Sequence, residues 1–181
     1  MLGTAAQTPV PADTKVRMEF FNRALGVECA HCHVEGKWTD DTRPQFGIAR
    51  NMARMVLAVN ERLSKPDRVS CWTCHRGQAQ PSRQPRPLFD AELEKWPAEL
   101  AKAPENVKVT MSVYNVALGV KCEHCHTADW KAVEKAPMKL VRTMDELFTI
   151  FPAFMPKTAR TQCFMCHKGS ISPAALPAKQ G

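Results

Sequence analysis

The eight cysteines of this chain fall into four pentads of one form: Cys29-Ala-His-Cys32-His33, Cys71-Trp-Thr-Cys74-His75, Cys122-Glu-His-Cys125-His126 and Cys163-Phe-Met-Cys166-His167. None is left over. A Cys-x-x-Cys pair by itself suits half of a zinc site, a redox dithiol or a disulfide framework. None of those needs a histidine directly after the second cysteine, and here every pair has one. That pattern is the attachment signature of c-type haem. The two thiols form thioethers with the porphyrin vinyl groups, and the histidine becomes the proximal iron ligand. The pentads therefore predict four covalent haems, held by Cys29, Cys32, Cys71, Cys74, Cys122, Cys125, Cys163 and Cys166. Their iron ligands are His33, His75, His126 and His167.

Four haems in 181 residues leave about 45 residues for each. A conventional core of any size does not fit that ratio. The porphyrins must supply much of the interior, with apolar side chains on their faces. The chain without haem is expected to fold poorly, because ligation and folding are coupled. Trp38, Trp72, Trp96 and Trp130 are read as haem-packing aromatics.

The formal charge of +7 overstates the basicity. Each oxidised haem adds about −1, two propionates against one net positive charge on the ferric core, giving about +3 oxidised and about −1 reduced. A basic patch would then steer acidic redox proteins toward the chain. The basic residues are scattered and carry no nucleic-acid-binding motif, so nucleic acid is not expected as a partner. Thioether haem is attached outside the bacterial cytoplasmic membrane, which predicts a periplasmic or extracellular protein. The chain shows no charged and then apolar leader pattern. No stretch approaches membrane-spanning length.

The sequence repeats itself. Residues 15–33 and 108–126 share twelve of nineteen positions, among them Met18 with Met111, Asn22 with Asn115 and Gly26 with Gly119. Ile48-Ala-Arg50-Asn-Met52 aligns with Leu140-Val-Arg142-Thr-Met144, and 71–77 with 163–169. The expected organisation is an N-terminal coil over 1–13, a dihaem repeat over 14–80 and a Pro-rich connector with a short helix over 81–105. A second dihaem repeat follows over 106–175, with a tail over 176–181. The pattern predicts a mainly α chain with little regular structure and no strands. Helices are expected over 15–25, stopped by Gly26, and from Pro44 to about 63. A helix capped by Asp90 is expected over 90–96, and further ones over 107–118 and about 138–148. Short helices should begin at most pentads.

The sixth iron position is constrained by count. All six histidines lie inside pentads, four of them proximal, and His31 and His124 sit between paired cysteines. Four bis-histidine haems would need eight. Methionine is the other common ligand and raises the reduction potential. Met18 and Met111 each precede their proximal histidine by fifteen residues; Met52 and Met144 precede His75 and His167 by twenty-three. These four are the predicted axial methionines, against the alternative that they are core packing. Met55 rivals Met52, but its repeat counterpart is Leu147, which cannot ligate. Met138 and Met155 rival Met144, and Met165 inside a pentad is read as packing. His31 and His124 are read as surface or propionate hydrogen-bonding groups, with ligation of another iron as the alternative. Arg50 and Arg142 are candidates to pair with propionates.

With these residues in place, the chain resembles the tetrahaem cytochrome subunit of photosynthetic reaction centres. The resemblance is carried by the Met18 helix, Leu25-Gly26-Val27, the first pentad, Ala49-Arg50-Asn51-Met52 and Cys71 to Gly77, and is repeated in the second unit. It implies two tandem dihaem repeats related by a local two-fold axis and wrapped around the haems. It also implies single-electron transfer without enzymatic catalysis, and redox proteins as donor and acceptor. A membrane-bound reaction centre and a respiratory complex are candidate partners. The chain departs from the family in being short, in lacking an N-terminal lipid-anchor cysteine and in having no histidine outside the pentads. The alternatives kept open are a subunit of an extracellular electron-conducting filament, a multihaem reductase, and an oligomer in place of a free carrier.

Overall fold

The computed structural model describes residues 12–96, 98–100, 102–129, 136–157 and 161–173. The tail 176–181, Trp130 and nearly all of the N-terminal coil lie outside them. Among the described residues there are eight α-helices: α1 (Ala12–Leu25), α2 (Pro44–Asn60), α3 (Cys71–His75), α4 (Arg86–Leu93), α5 (Glu105–Leu118), α6 (Cys122–Cys125), α7 (Ala136–Leu147) and α8 (Cys163–His167). Short 3-10 turns lie at Cys29–His31, Lys65–Asp67, Ala98–Leu100 and Phe151–Ala153. Among the described residues there is no strand, only an isolated bridge between Val34 and Lys37. The fold is mainly helical, and each pentad opens a short helical turn.

One helix departs from expectation. Asp90 does not cap α4; the helix starts four residues earlier, at Arg86, with Pro85 as its N-cap. Pro87 sits in the first turn, where its fixed φ suits a helix and its missing N–H leaves no carbonyl unserved. Asp90 is interior and takes the Arg86 guanidinium at 2.8 Å, one turn back. Further along, α2 ends at Asn60, three residues before the expected stop. The Asn60 amide then holds the returning chain, donating to the Val69 carbonyl at 2.9 Å and accepting its N–H at 2.8 Å.

The two halves are assembled by the same joint. Gly26 and Gly119, at φ 63 and 65, lie in the left-handed region that glycine tolerates, beyond the ends of α1 and α5. A Cβ on Gly26 would collide with the Gly77 carbonyl, and one on Gly119 with that of Gly169. The Gly77 N–H donates to Ala24 at 2.9 Å, and the Gly169 N–H to Ala117 at 2.7 Å. Each long helix is thus pinned to the turn after the second pentad of its own half. Ala24 and Ala117 are fully buried beneath these contacts, because only a methyl group fits there.

Across the halves, α3 packs on α8. Arg76 reaches over this contact, its Nη2 donating to the Cys166 carbonyl at 2.6 Å. On the other side of α5 lies α4, where the Asn115 amide donates to Glu92 at 2.8 Å. The Trp96 indole N–H, just beyond α4, donates to the buried Ser112 hydroxyl at 2.8 Å. Buried apolar side chains among the described residues are Ala24, Val59, Ala117, Leu147 and Met165. Such a thin core stabilises little by itself, at roughly 25 cal/mol per Å² of apolar surface buried. It suits a chain whose interior is completed by large apolar groups.

Candidate haem-binding sites

Three of the four pentad histidines are oriented in the same way. His33 Nδ1 lies 2.8 Å from the Trp38 carbonyl, His75 Nδ1 2.9 Å from that of Gln78, and His167 Nδ1 3.0 Å from that of Ser170. A backbone carbonyl only accepts, so each Nδ1 carries the proton and donates. Each Nε2 is thereby left as the lone-pair nitrogen available to a metal. Burial also pushes the His75 pKa below its ordinary value, opposed by its backbone hydrogen bonds, which favours the neutral, ligating form. Hydrogen-bonded imidazole with a free Nε2 is what a proximal iron ligand requires.

The thiols fit thioether chemistry better than metal-thiolate chemistry. Burial raises the pKa of Cys32 and Cys71. Cys163 is pushed up to about 11 by burial first and the charge of Asp145 second. Zinc needs deprotonated thiolates converging in a tetrahedron. Among the described residues, no three His, Cys, Asp or Glu side chains converge as a metal site would require. Two buried polar atoms, Trp72 Nε1 and Arg76 Nε, have no hydrogen-bond partner. Such orphan donors are costly. They lie in or beside the second pentad, where an acidic propionate would satisfy them. By these marks the residues present fit haem.

Cys74 and Cys166 meet across the α3–α8 contact with Cα atoms 4.3 Å apart, and their sulfurs are joined. A sulfur in a disulfide cannot also hold a vinyl carbon, so this bond and the thioethers expected at Cys74 and Cys166 exclude each other. Their meeting places the second and fourth pentads side by side.

The methionines are half-buried at all four expected positions, Met18, Met52, Met111 and Met144. Met111 lines a narrow cleft of about 50 Å³ together with Cys122, Cys125 and His126. That cleft brings the predicted thioether ligand and the proximal histidine of the third pentad into one site. Met138, expected as a rival of Met144 at the fourth pentad, lines this same cleft. Its repeat counterpart Phe46 stands edge-on to His33, ring centres 5.2 Å apart. Arg50 stacks on Phe46 at 4.8 Å. Met165 is buried, and its sulfur accepts the Gln162 N–H at 3.3 Å, which gives it a capping role in α8. His31 and His124 are exposed. Trp38 packs edge-on against His33 at 5.9 Å, and Trp96 lines the third-pentad cleft.

Sequence reasoning missed two groups. Asn22 and Asn115 each donate from Nδ2 to the first sulfur of the following pentad, Cys29 at 3.4 Å and Cys122 at 3.7 Å. The signal was present: both lie seven residues before that cysteine, within the identical set. Tyr114 and Asp145 form the second group, with the phenol donating to the carboxylate at 2.6–2.7 Å. Their repeat counterparts are Phe21 and Ala53, so only a departure from the repeat marked them.

Comparison with known proteins agrees with this chemistry. Residues 22–85, which contain the first two pentads, match the family described as photosynthetic reaction centre cytochrome C subunit. The chain is also similar to cytochrome c-554 of Chloroflexus aurantiacus, 36% identical over 63 residues. That stretch spans 32% of this chain and 15% of the relative.

Proposed function

We propose, from a chain whose residues 22–85 share the reaction-centre cytochrome pattern, that it is a tetrahaem c-type cytochrome relaying single electrons between extracytoplasmic redox proteins. The observation that carries this reading is the repeated pentad whose histidine turns Nδ1 to a backbone carbonyl, seen at His33, His75 and His167. Haem, when bound, supplies a reversible one-electron iron couple.

The chain's residues do the rest. Cys29 and Cys32, Cys71 and Cys74, Cys122 and Cys125, and Cys163 and Cys166 tether the four groups. His33, His75, His126 and His167 would supply one ligand to each iron, and Met18, Met52, Met111 and Met144 the second. In the loaded chain Cys74 and Cys166 give their sulfurs to thioethers instead of to each other. With both ligands in place no iron would be open to a substrate, which supports transfer over catalysis. The matched joints, Gly26 on Gly77 and Gly119 on Gly169, support two repeats related by a pseudo-two-fold axis. Among the described residues no helix is long and apolar enough to cross a membrane. A membrane-bound reaction centre or a respiratory complex, as redox partner, fits the family match.

Intact mass of the protein matured with haem should show four covalent haems and no disulfide. Carbon monoxide added to the reduced protein should bind little. Binding at full haem stoichiometry would overturn the carrier role, and fewer than four haems would overturn the tetrahaem reading.

A further inference from the structure

Tyr114, on α5, stands in the wall between two cavities. One is the cleft holding Met111 and His126 of the third pentad; the other, of about 410 Å³, is lined by Asp145 and Cys163 of the fourth. The phenol donates to both carboxylate oxygens of Asp145, at 2.7 and 2.6 Å, tying α5 to α7 beside the fourth pentad. Arg86 also lines the larger cavity, but its guanidinium is engaged by Asp90 at 2.8 Å. In the first repeat the equivalent positions are Phe21 and Ala53, so the second pentad has no such pair.

We propose that Asp145, held in place by Tyr114, lowers the reduction potential of the haem at the fourth pentad below that of its counterpart at the second. The inference rests on the tetrahaem reading. A carboxylate beside an iron favours the ferric state, which carries one more positive charge, and so opposes reduction. Its charge already acts on this pentad, adding to the upward shift of the Cys163 thiol. Solvent weakens the effect while the carboxylate is open to water; a porphyrin filling the cavity would displace that water and strengthen it. Tyr114 is a positioning residue. It fixes the carboxylate at the cavity wall through its two hydrogen-bond contacts. The repeats would then differ in potential although their pentads are alike, which gives the relay a direction.

The test is a spectroelectrochemical titration of the haem-loaded protein. Asp145→Asn keeps the shape and removes the charge. It should raise one of four midpoints, by about tenfold in the reduction equilibrium or about 59 mV for one electron, and leave the other three nearly fixed. Asp145→Glu should restore the wild-type value. Tyr114→Phe should shift the same midpoint by less. Ala53→Asp should lower a different midpoint, transferring the device to the first repeat. Four unmoved midpoints in Asp145→Asn, or four moving together, would overturn the proposal. Haem counting by intact mass comes first. Four haems with unmoved midpoints would sink this inference alone, whereas a missing haem would sink the tetrahaem reading with it.

Discussion

In the first repeat α1 ends at Gly26 and rests on Gly77; in the second α5 ends at Gly119 and rests on Gly169. The backbone solution is the same to within a few degrees of φ. Around these joints the side chains diverge. Phe21, Phe46, Ala53 and Arg76 on one side become Tyr114, Met138, Asp145 and Lys168 on the other. The backbone joint tolerates little change, because two chains approach without room for a Cβ. The positions beside the pentads differ more, and under the proposed function they would set a haem's environment and not its attachment. Duplicated sites can therefore share one architecture and differ in their electrostatics.

The most consequential way to break the comparison is at the proposed methionines. Met18→Ala and Met111→Ala should each lower one haem's potential or open one iron to carbon monoxide. If both variants keep wild-type spectra and potentials, neither methionine is a ligand. Next comes the joint itself. Gly26→Ala and Gly119→Ala should each cost about 1–2 kcal/mol for a left-handed alanine and about 1–3 kcal/mol for the steric overlap. Thermal unfolding of the haem-loaded protein should show similar losses. A loss in only one variant would mean the joints are not equivalent.

A smaller effect sharpens the difference between the repeats. Tyr114→Phe should cost about 1 kcal/mol near neutral pH, whereas Phe21→Tyr should gain nothing. Burial first, and then Asp145, hold the Tyr114 phenol above its ordinary pKa near 10. The unfolded chain thus loses that proton before the folded chain does, and this contribution to stability falls as pH rises above about 10. The gap between wild type and Tyr114→Phe should close in alkaline unfolding experiments; a gap that widens there would contradict the assignment. The smallest effect belongs to Arg86→Ala. Its exposed pair with Asp90 should be worth less than about 0.5 kcal/mol in the unfolding midpoint.

Much of the site was legible from residue order. Pentad helices, the Gly26 and Gly119 stops and the main helices follow from local propensity and capping, which act within a few residues. The start of α4 was misread because Asp90 has a good cap's chemistry, while Pro87 decided the boundary three residues earlier. Met138 was read as a rival of Met144 at the fourth pentad. Helix α7 packs on α6, and Met138 lines the third-pentad cleft. Trp38 was expected to pack in the haem environment, but its backbone carbonyl, which orients His33, carried no signature.

By itself, the sequence displayed the four Cys-x-x-Cys-His pentads, the match of residues 15–33 with 108–126 and the mainly helical character. Covalent motifs and helix stops are local, and a repeat is visible wherever residues match. Tertiary structure alone decided that Gly26 meets Gly77 and Gly119 meets Gly169, that the second and fourth pentads touch, and that Tyr114 holds Asp145 beside Cys163. Those are encounters between residues 18 to 92 positions apart. They depend on how helices stack, and no short-range pattern in the chain encodes that.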